Sequence, residues 1–275
     1  MSYTFKKALV RNPSRSITNA ISSLGANPDY EKVIEEHINY KSFLLESKVE
    51  VFTLEAIEEY PDSVFVEDPA ITFRDFCIIL RPGIDSRFGE QLVFKEEAQN
   101  YFEKVFSIKN GTVEGGDILK VNEHFIIGTS ERTNKTGAEE LAYLLRSLGA
   151  KVDITKTPKG VLHFKSDCSL LDDETILQTK RMSATNFFDK KFKTIEVPEG
   201  EEIAANSLRI NDSLFVPFGF NKTYNLLKDL YNVKLIKVDE ISKVDAGLSC
   251  MSLRWLINAC LGDGLCSLLI LIVVL

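Results

Sequence analysis

The chain has 275 residues, 44% of them hydrophobic and 27% charged, which supports a sizeable buried core and excludes wholesale disorder. A formal net charge of −7, with no basic cluster to override it, leaves no footprint for a nucleic-acid backbone. A local pair of arginines could still grip a small anion, so the total restricts macromolecular partners only.

The opening stretch, "MSYTFKKALVRNPSRS", has no apolar run of signal-peptide length, and the five cysteines are odd in number and unevenly spread. Both features predict reduced thiols in a cytoplasmic protein rather than a disulfide framework. Helical periodicity follows in "DYEKVIEEHINYKSFLLES" (29–47) and "FGEQLVFKEEAQNYFEKVF" (88–106). In "AEELAYLLRSLG", Leu141, Leu144, Leu145 and Leu148 share one stripe, and Gly149 stops the helix. Between the helices lie short extended runs rich in Val, Ile and Phe: "VEVFTL", "SVFVEDPAITFRDFCIIL", "GGDILKVNEHFIIGTS", "VLHFKSDCSLLDDETILQT", "NSLRINDSLFVPFG" and "VKLIKV". Gly, Asp, Asn or Pro bound each one, as expected of strands and hairpins.

Glu67, Glu114, His163, Asn206 and Cys250 each sit at or beside one of these apolar runs, at successive intervals of 47, 49, 43 and 44 residues. Five units of similar length predict an α/β ring of repeated units whose polar residues meet at the centre. No Pro/Ser-rich linker divides the chain, so a single domain is expected over residues 1–255.

Five short stretches carry chemistry. In "PDSVFVEDPAI" the acids Asp62, Glu67 and Asp68 flank an apolar run, where an unpaired buried charge costs several kcal/mol. The bland reading is a solvated strand end. The sharper one is a cationic partner, and a guanidinium would supply planar, charge-assisted bonds. In "TVEGGDIL", Gly115 and Gly116 permit a tight turn or close approach beside Glu114, although a simple hairpin turn explains the motif equally well. Arg87 in "RPGIDSRFGE" and Arg132 in "GTSERTN" are either surface ion pairs or a clamp for a carboxylate. His163 in "VLHFKSDC" is one of three histidines and reads as either a core residue or a catalyst. Cys250 in "GLSCMSL" becomes a nucleophile if a nearby cation lowers its pKa. Cys250, Cys260 and Cys266 lack the paired, close-set spacing of zinc ligands, so no metal is expected.

Taken in order, "VFVED", "EGGD", "SERTN", "HFKS" and "LSCMSL" resemble the signature set of the dimethylarginine dimethylaminohydrolases, which are guanidino-group-modifying enzymes of the pentein superfamily. The resemblance runs from about Lys7 through Arg254 and implies a five-bladed, pseudosymmetric ββαβ propeller. It implies hydrolysis of Nω-methylated arginines to citrulline and a methylamine through a covalent thiouronium on Cys250, with His163 as general acid/base and Glu114 orienting it. It further implies that Asp62, Glu67 and Asp68 hold the guanidinium while Phe65 packs beside the side chain. Arg87 and Arg132 would bind the α-carboxylate, and Ile17 or Thr18 would lie on a loop over the site. No cofactor is implied, and a homodimer is compatible with the family. Phe164 stands where relatives often carry leucine, a volume change expected to be tolerated.

The rival readings are an arginine deiminase, which would bring an additional helical insertion, an amidinotransferase, and a catalytically silent pentein lacking the thiol. Beyond the motif lies an apolar C-terminal extension, residues 256–275. Its run from Leu265 to Leu275 is 11 residues, too short to cross a bilayer.

Overall fold

Two strands of each hairpin cannot bury an apolar face alone, and a third strand with a covering helix completes the layer. That unit occurs five times in the computed structural model, which describes residues 1–23 and 25–256. Strands β3 (Ala70–Phe73) and β4 (Phe76–Ile79) pair antiparallel, helix α2 (Glu90–Ala98) crosses over, and β5 (Lys104–Ser107) returns parallel to β4. The next unit repeats this with β6 (Ile118–Val121), β7 (His124–Thr129), α3 (Lys135–Ser147) and β8 (Lys151–Lys156). It recurs with β9 (Cys168–Leu170), β10 (Thr175–Gln178), α4 (Lys180–Ser183) and β11 (Lys193–Glu196). The fourth consists of β12 (Leu208–Ile210), β13 (Ser213–Pro217), α5 (Asn221–Leu227) and β14 (Asn232–Ile236).

The fifth sheet closes the ring. β1 (Lys7–Arg11) runs parallel to β2 (Glu50–Leu54) across α1 (Tyr30–Glu46), while its antiparallel partner is the far-distant β15 (Leu253–Trp255). The fold is thus the expected five-bladed α/β ring, and β15 belongs to the same sheet as the N-terminal strand.

Local chemistry explains the helix limits. Asp29 caps α1 by accepting from the amides of Glu31 and Lys32, and Asn134 caps α3 through Gly137. Gly149, with φ of 91°, ends α3 as its position predicted. The leucine stripe of α3 packs as expected, with Leu141 and Leu145 buried against Phe73, Phe125 and Ile127, and with Leu144 and Leu148 at its margin.

Three expectations change. The helix expected over 88–106 stops at Ala98, and its "KVF" end becomes part of β5. "SVFVED" forms successive tight turns, with Phe65 N–H donating to Asp62 O and Asp68 N–H to Phe65 O. His163 precedes a 3-10 turn over Phe164–Ser166 and lies outside any strand. A short apolar run is equally suited to a buried turn, and composition alone does not separate the two. Residues 257–275, with Cys260 and Cys266, lie outside the described residues. Among the described residues no helix is long and apolar enough to cross a membrane.

Candidate active site

The five evenly spaced residues all occupy the loop that enters the first strand of a sheet: Glu67 before β3, Glu114 before β6, His163 before β9, Asn206 before β12 and Cys250 before β15. Ring symmetry turns equal spacing in sequence into convergence in space. His163, Glu114 and Cys250 line one cavity of about 30 Å³, together with Asp62, Phe65, Asp68, Arg87, Arg132 and Ile21. A wider hollow of about 650 Å³ adjoins the same histidine and cysteine.

His163 Nε2 lies 2.7 Å from Glu114 Oε2. The other carboxylate oxygen of Glu114 accepts from the Gly83 amide at 2.8 Å and lies 3.6 Å from Arg132 Nη1. Gly116 lets the imidazole approach, because a Cβ there would stand 2.6 Å from His163 Cγ. The Phe164 ring packs among Phe187, Phe188 and Phe192, and Gly128 leaves it room, since a Cβ at Gly128 would fall 2.7 Å from Phe164 Cβ. The larger side chain at 164 is therefore accommodated. Buried Asp117 fixes the same turn by accepting from the Phe164 amide at 2.8 Å and from Ser130 Oγ at 2.7 Å.

Burial opposes a charge on His163, but the bond to Glu114 and the charges of Asp68, Asp117 and Glu114 outweigh it and raise the pKa to about 9. Burial likewise opposes the Glu114 carboxylate, yet His163, Arg87 and Arg132 hold it down at about 2. At neutral pH the pair is therefore imidazolium and carboxylate. Burial, reinforced by Asp68 and Glu67, pushes the Cys250 thiol up to about 12, so it rests protonated.

Asp68 is bound to Arg87 Nη1 at 2.5 Å and to the Gly116 amide at 3.1 Å. Arg87 is further tied to both oxygens of Glu90 and to Phe65 O. It is buried and nearly saturated, and among the described residues only one of its N–H groups lacks a partner. Asp62 differs from its neighbours. Among the described residues it accepts only from the Ile21 amide, at 3.3 and 3.4 Å, and burial raises its pKa to about 6 against the opposing charge of Arg87.

Two expected contacts change. Glu67 turns away from the cavity toward Lys165 Nζ at 2.7 Å and Arg254 Nη2 at 2.6 Å, so the protein itself neutralises the charge expected to face a ligand. Ile17 is fully buried in the core against α1, and Ile21, four residues on, is the aliphatic side chain of this segment that reaches the cavity. Asn206, found as a marker by its spacing but given no role, takes the Ser249 amide at 3.1 Å, and sequence reasoning missed Arg254 behind Cys250. Asp68, Glu114 and His163 bring ligand-type atoms within 4.8 Å of one another, but each is already engaged by Arg87, Gly83 or a member of the trio.

A family model described as arginine deiminase matches residues 31–188. The N(G),N(G)-dimethylarginine dimethylaminohydrolase of Pseudomonas aeruginosa is 38% identical over 257 residues, covering 91% of this chain and all of that one. The chain belongs to the dimethylarginine dimethylaminohydrolase family. A second dimethylarginine dimethylaminohydrolase, from Streptomyces coelicolor, is 31% identical over 90% of the chain and 96% of its own length. The solved structure of the Pseudomonas dimethylarginine dimethylaminohydrolase, a cysteine-to-serine mutant complexed with citrulline, superposes with a TM-score of 0.88 at 36% identity, covering 92% of this chain and all of that one. The N-terminal domain of the arginine dihydrolase ArgZ, from cyanobacteria, is 18% identical with a TM-score of 0.81, covering 90% of this chain and 97% of that one, and shares the fold.

Proposed function

We propose that the protein hydrolyses Nω-methylated arginines to citrulline and the corresponding methylamine, with Cys250 as nucleophile. The observation that carries this reading is the buried His163–Glu114 pair, 2.7 Å apart, on the same small cavity as the Cys250 thiol. Asp62 supports it as a buried carboxylate on that cavity with no cation in hydrogen-bond contact among the described residues.

In this reading the guanidinium of the substrate sits against Asp62 and shares Asp68 with Arg87, while Phe65 flanks the aliphatic chain. Arg132 and the remaining N–H of Arg87 receive the α-carboxylate. The cavity of about 30 Å³ shares His163 and Cys250 with the hollow of about 650 Å³, which supports entry from that side. Arrival of the cation lowers the cost of ionising Cys250, whose proton passes to solvent. The thiolate attacks the guanidinium carbon and a C–S bond forms. The His163 imidazolium delivers its proton to the dimethylamino nitrogen, the C–N bond breaks, and dimethylamine leaves a cationic thiouronium. Neutral His163 then takes a proton from water as its oxygen attacks the same carbon. Collapse breaks the C–S bond, the hydroxyl proton passes to the departing sulfur, and the ureido group of citrulline is left with Cys250 again a thiol. Every step is met by side chains of this chain.

The test is turnover of asymmetric dimethylarginine by the purified protein, with citrulline and dimethylamine both quantified. Cys250→Ser and His163→Ala are each expected to abolish it, and full activity in Cys250→Ser would sink the mechanism. The description of the matching family model favours free arginine as a second candidate substrate. The ratio of kcat/KM for the methylated and free amino acids decides between them.

A further inference from the structure

The turn that carries Cys250 is held from behind by side chains that do not line the small cavity. Arg254, on β15, donates through Nη1 to Ser249 O at 2.9 Å and to Ser252 O at 2.7 Å, bracketing the cysteine on both sides. Its Nη2 reaches Glu67 Oε1 at 2.6 Å, and the backbone amide of Glu67 in turn donates to Cys250 O at 3.2 Å. Tyr40, fully buried on α1, donates to Leu248 O at 3.0 Å and shares a 2.6 Å bond with Ser252 Oγ. The carbonyls of Leu248, Ser249, Cys250 and Ser252 are thus all engaged by Tyr40, Arg254 or the Glu67 amide, none of which lines the small cavity. A planar guanidinium spans two carbonyls and a carboxylate at fixed separations, which a flexible ammonium does not do.

We infer that Arg254 is a positioning residue for Cys250, fixing the turn so that its sulfur stands at attacking distance from a guanidinium carbon. The inference rests on the proposed role of Cys250. Arg254 touches neither substrate nor reacting atoms. It also keeps the Glu67 charge paired with a cation of its own, and Lys165 pairs with the same oxygen at 2.7 Å. The charged groups around the thiol are Asp68, Glu67 and Lys165, with His163, Glu114, Asp62, Asp245, Arg87 and Arg132 on the shared cavity. Changing Arg254 to lysine keeps their sum constant and alters only the fork.

The experiment measures kcat and KM for asymmetric dimethylarginine in the parent protein, Arg254→Lys, Tyr40→Phe and the double variant, with melting curves for each. A misplacement of about 1 Å at the reacting atoms costs on the order of 100-fold in rate. Arg254→Lys is therefore expected to lose about 10- to 100-fold in kcat with KM within about threefold. Tyr40→Phe is expected to lose less in the same sense, and the double variant less than the product of the two, because both act on one turn. The pH midpoint for iodoacetamide alkylation of Cys250 is expected to stay at its parent value in Arg254→Lys, since the charge is retained. A folded Arg254→Lys variant with kcat within twofold of the parent overturns the inference, as does a rise in KM at constant kcat. If Arg254→Lys does not fold, Tyr40→Phe decides by the same split. A parent protein without turnover refutes the functional reading and this inference together, whereas an active parent with an unaffected Arg254→Lys refutes this inference alone.

Discussion

Replacing Glu114 by glutamine removes one charge while keeping an acceptor for the His163 ring. His163 lies at about 9 against an ordinary 6.5, so its surroundings favour the imidazolium by roughly 3 kcal/mol even after the cost of burial. The bond to Glu114 is the largest favourable contribution, ahead of the Asp68 and Asp117 charges. Without the carboxylate the burial cost remains, and the pKa is expected to fall to 6.5 or below. At pH 8 the protonated fraction then drops about 30-fold. Only three histidines are present, so isotope-edited NMR follows each ring through a pH titration. His37, held down at about 3 by burial and Lys41, serves as an internal control. Turnover measured in parallel should fall at pH 8 and partly recover at pH 6. Stability carries the same sign. A raised histidine pKa contributes fully below 6.5, and the contribution fades as pH climbs through about 9, so Glu114→Gln should narrow its gap to the parent over that window. A His163 midpoint that stays near 9 in Glu114→Gln would refute the assignment of Glu114 as the group that holds the proton.

Gly116→Ala places a methyl group 2.6 Å from His163 Cγ, where the ring must move. It should cost about 1–3 kcal/mol in urea unfolding and far more in kcat, and retention of full activity would contradict the close approach. Phe164→Ala empties a fully buried site among Phe187, Phe188 and Phe192, and a loss of about 3–5 kcal/mol in urea midpoint at unchanged slope is expected.

Much of the ring was legible because each unit must solve the same packing problem, which repeats the pattern of apolar run, helix and apolar run. The five marker residues could be found for the same reason: each is the polar group that precedes a buried strand. Pairing was not legible. Asp62, Glu67 and Asp68 lie within seven positions, yet Arg87 claims Asp68, Lys165 and Arg254 claim Glu67, and Asp62 is left without a cation. Lys165 and Arg254 come from other sheets and Arg87 from beyond β4 of the same unit, and no local pattern encodes which acid meets which base. Ile17 and Ile21 differ by one helical turn of sequence, and nothing in the residues themselves says that the first faces α1 and the second the cavity. Arg254 looked like an ordinary strand residue, because its role depends on how the turn at Ser249–Ser252 folds back on it and on Glu67, 187 residues away in sequence.

The distribution of charge also bears on when Cys250 is reactive. A thiol pushed up to about 12 is almost entirely protonated at neutral pH. Arg87, the nearest buried cation of the Asp68 cluster, does nothing to change this, because Glu90, Asp68 and Phe65 O fix its guanidinium in place. Lys165 and Arg254 are spent on Glu67. The cations of the site are thus engaged by its acids, while Asp62 and Asp245 have no cation in hydrogen-bond contact among the described residues, so a further positive charge to stabilise a thiolate would come with a ligand. In the proposed reaction that ligand is the guanidinium under attack. On that proposal selectivity would be built into activation: a neutral or anionic molecule entering the cavity would leave the thiol protonated, and a cation reaching Asp62 would favour the nucleophile.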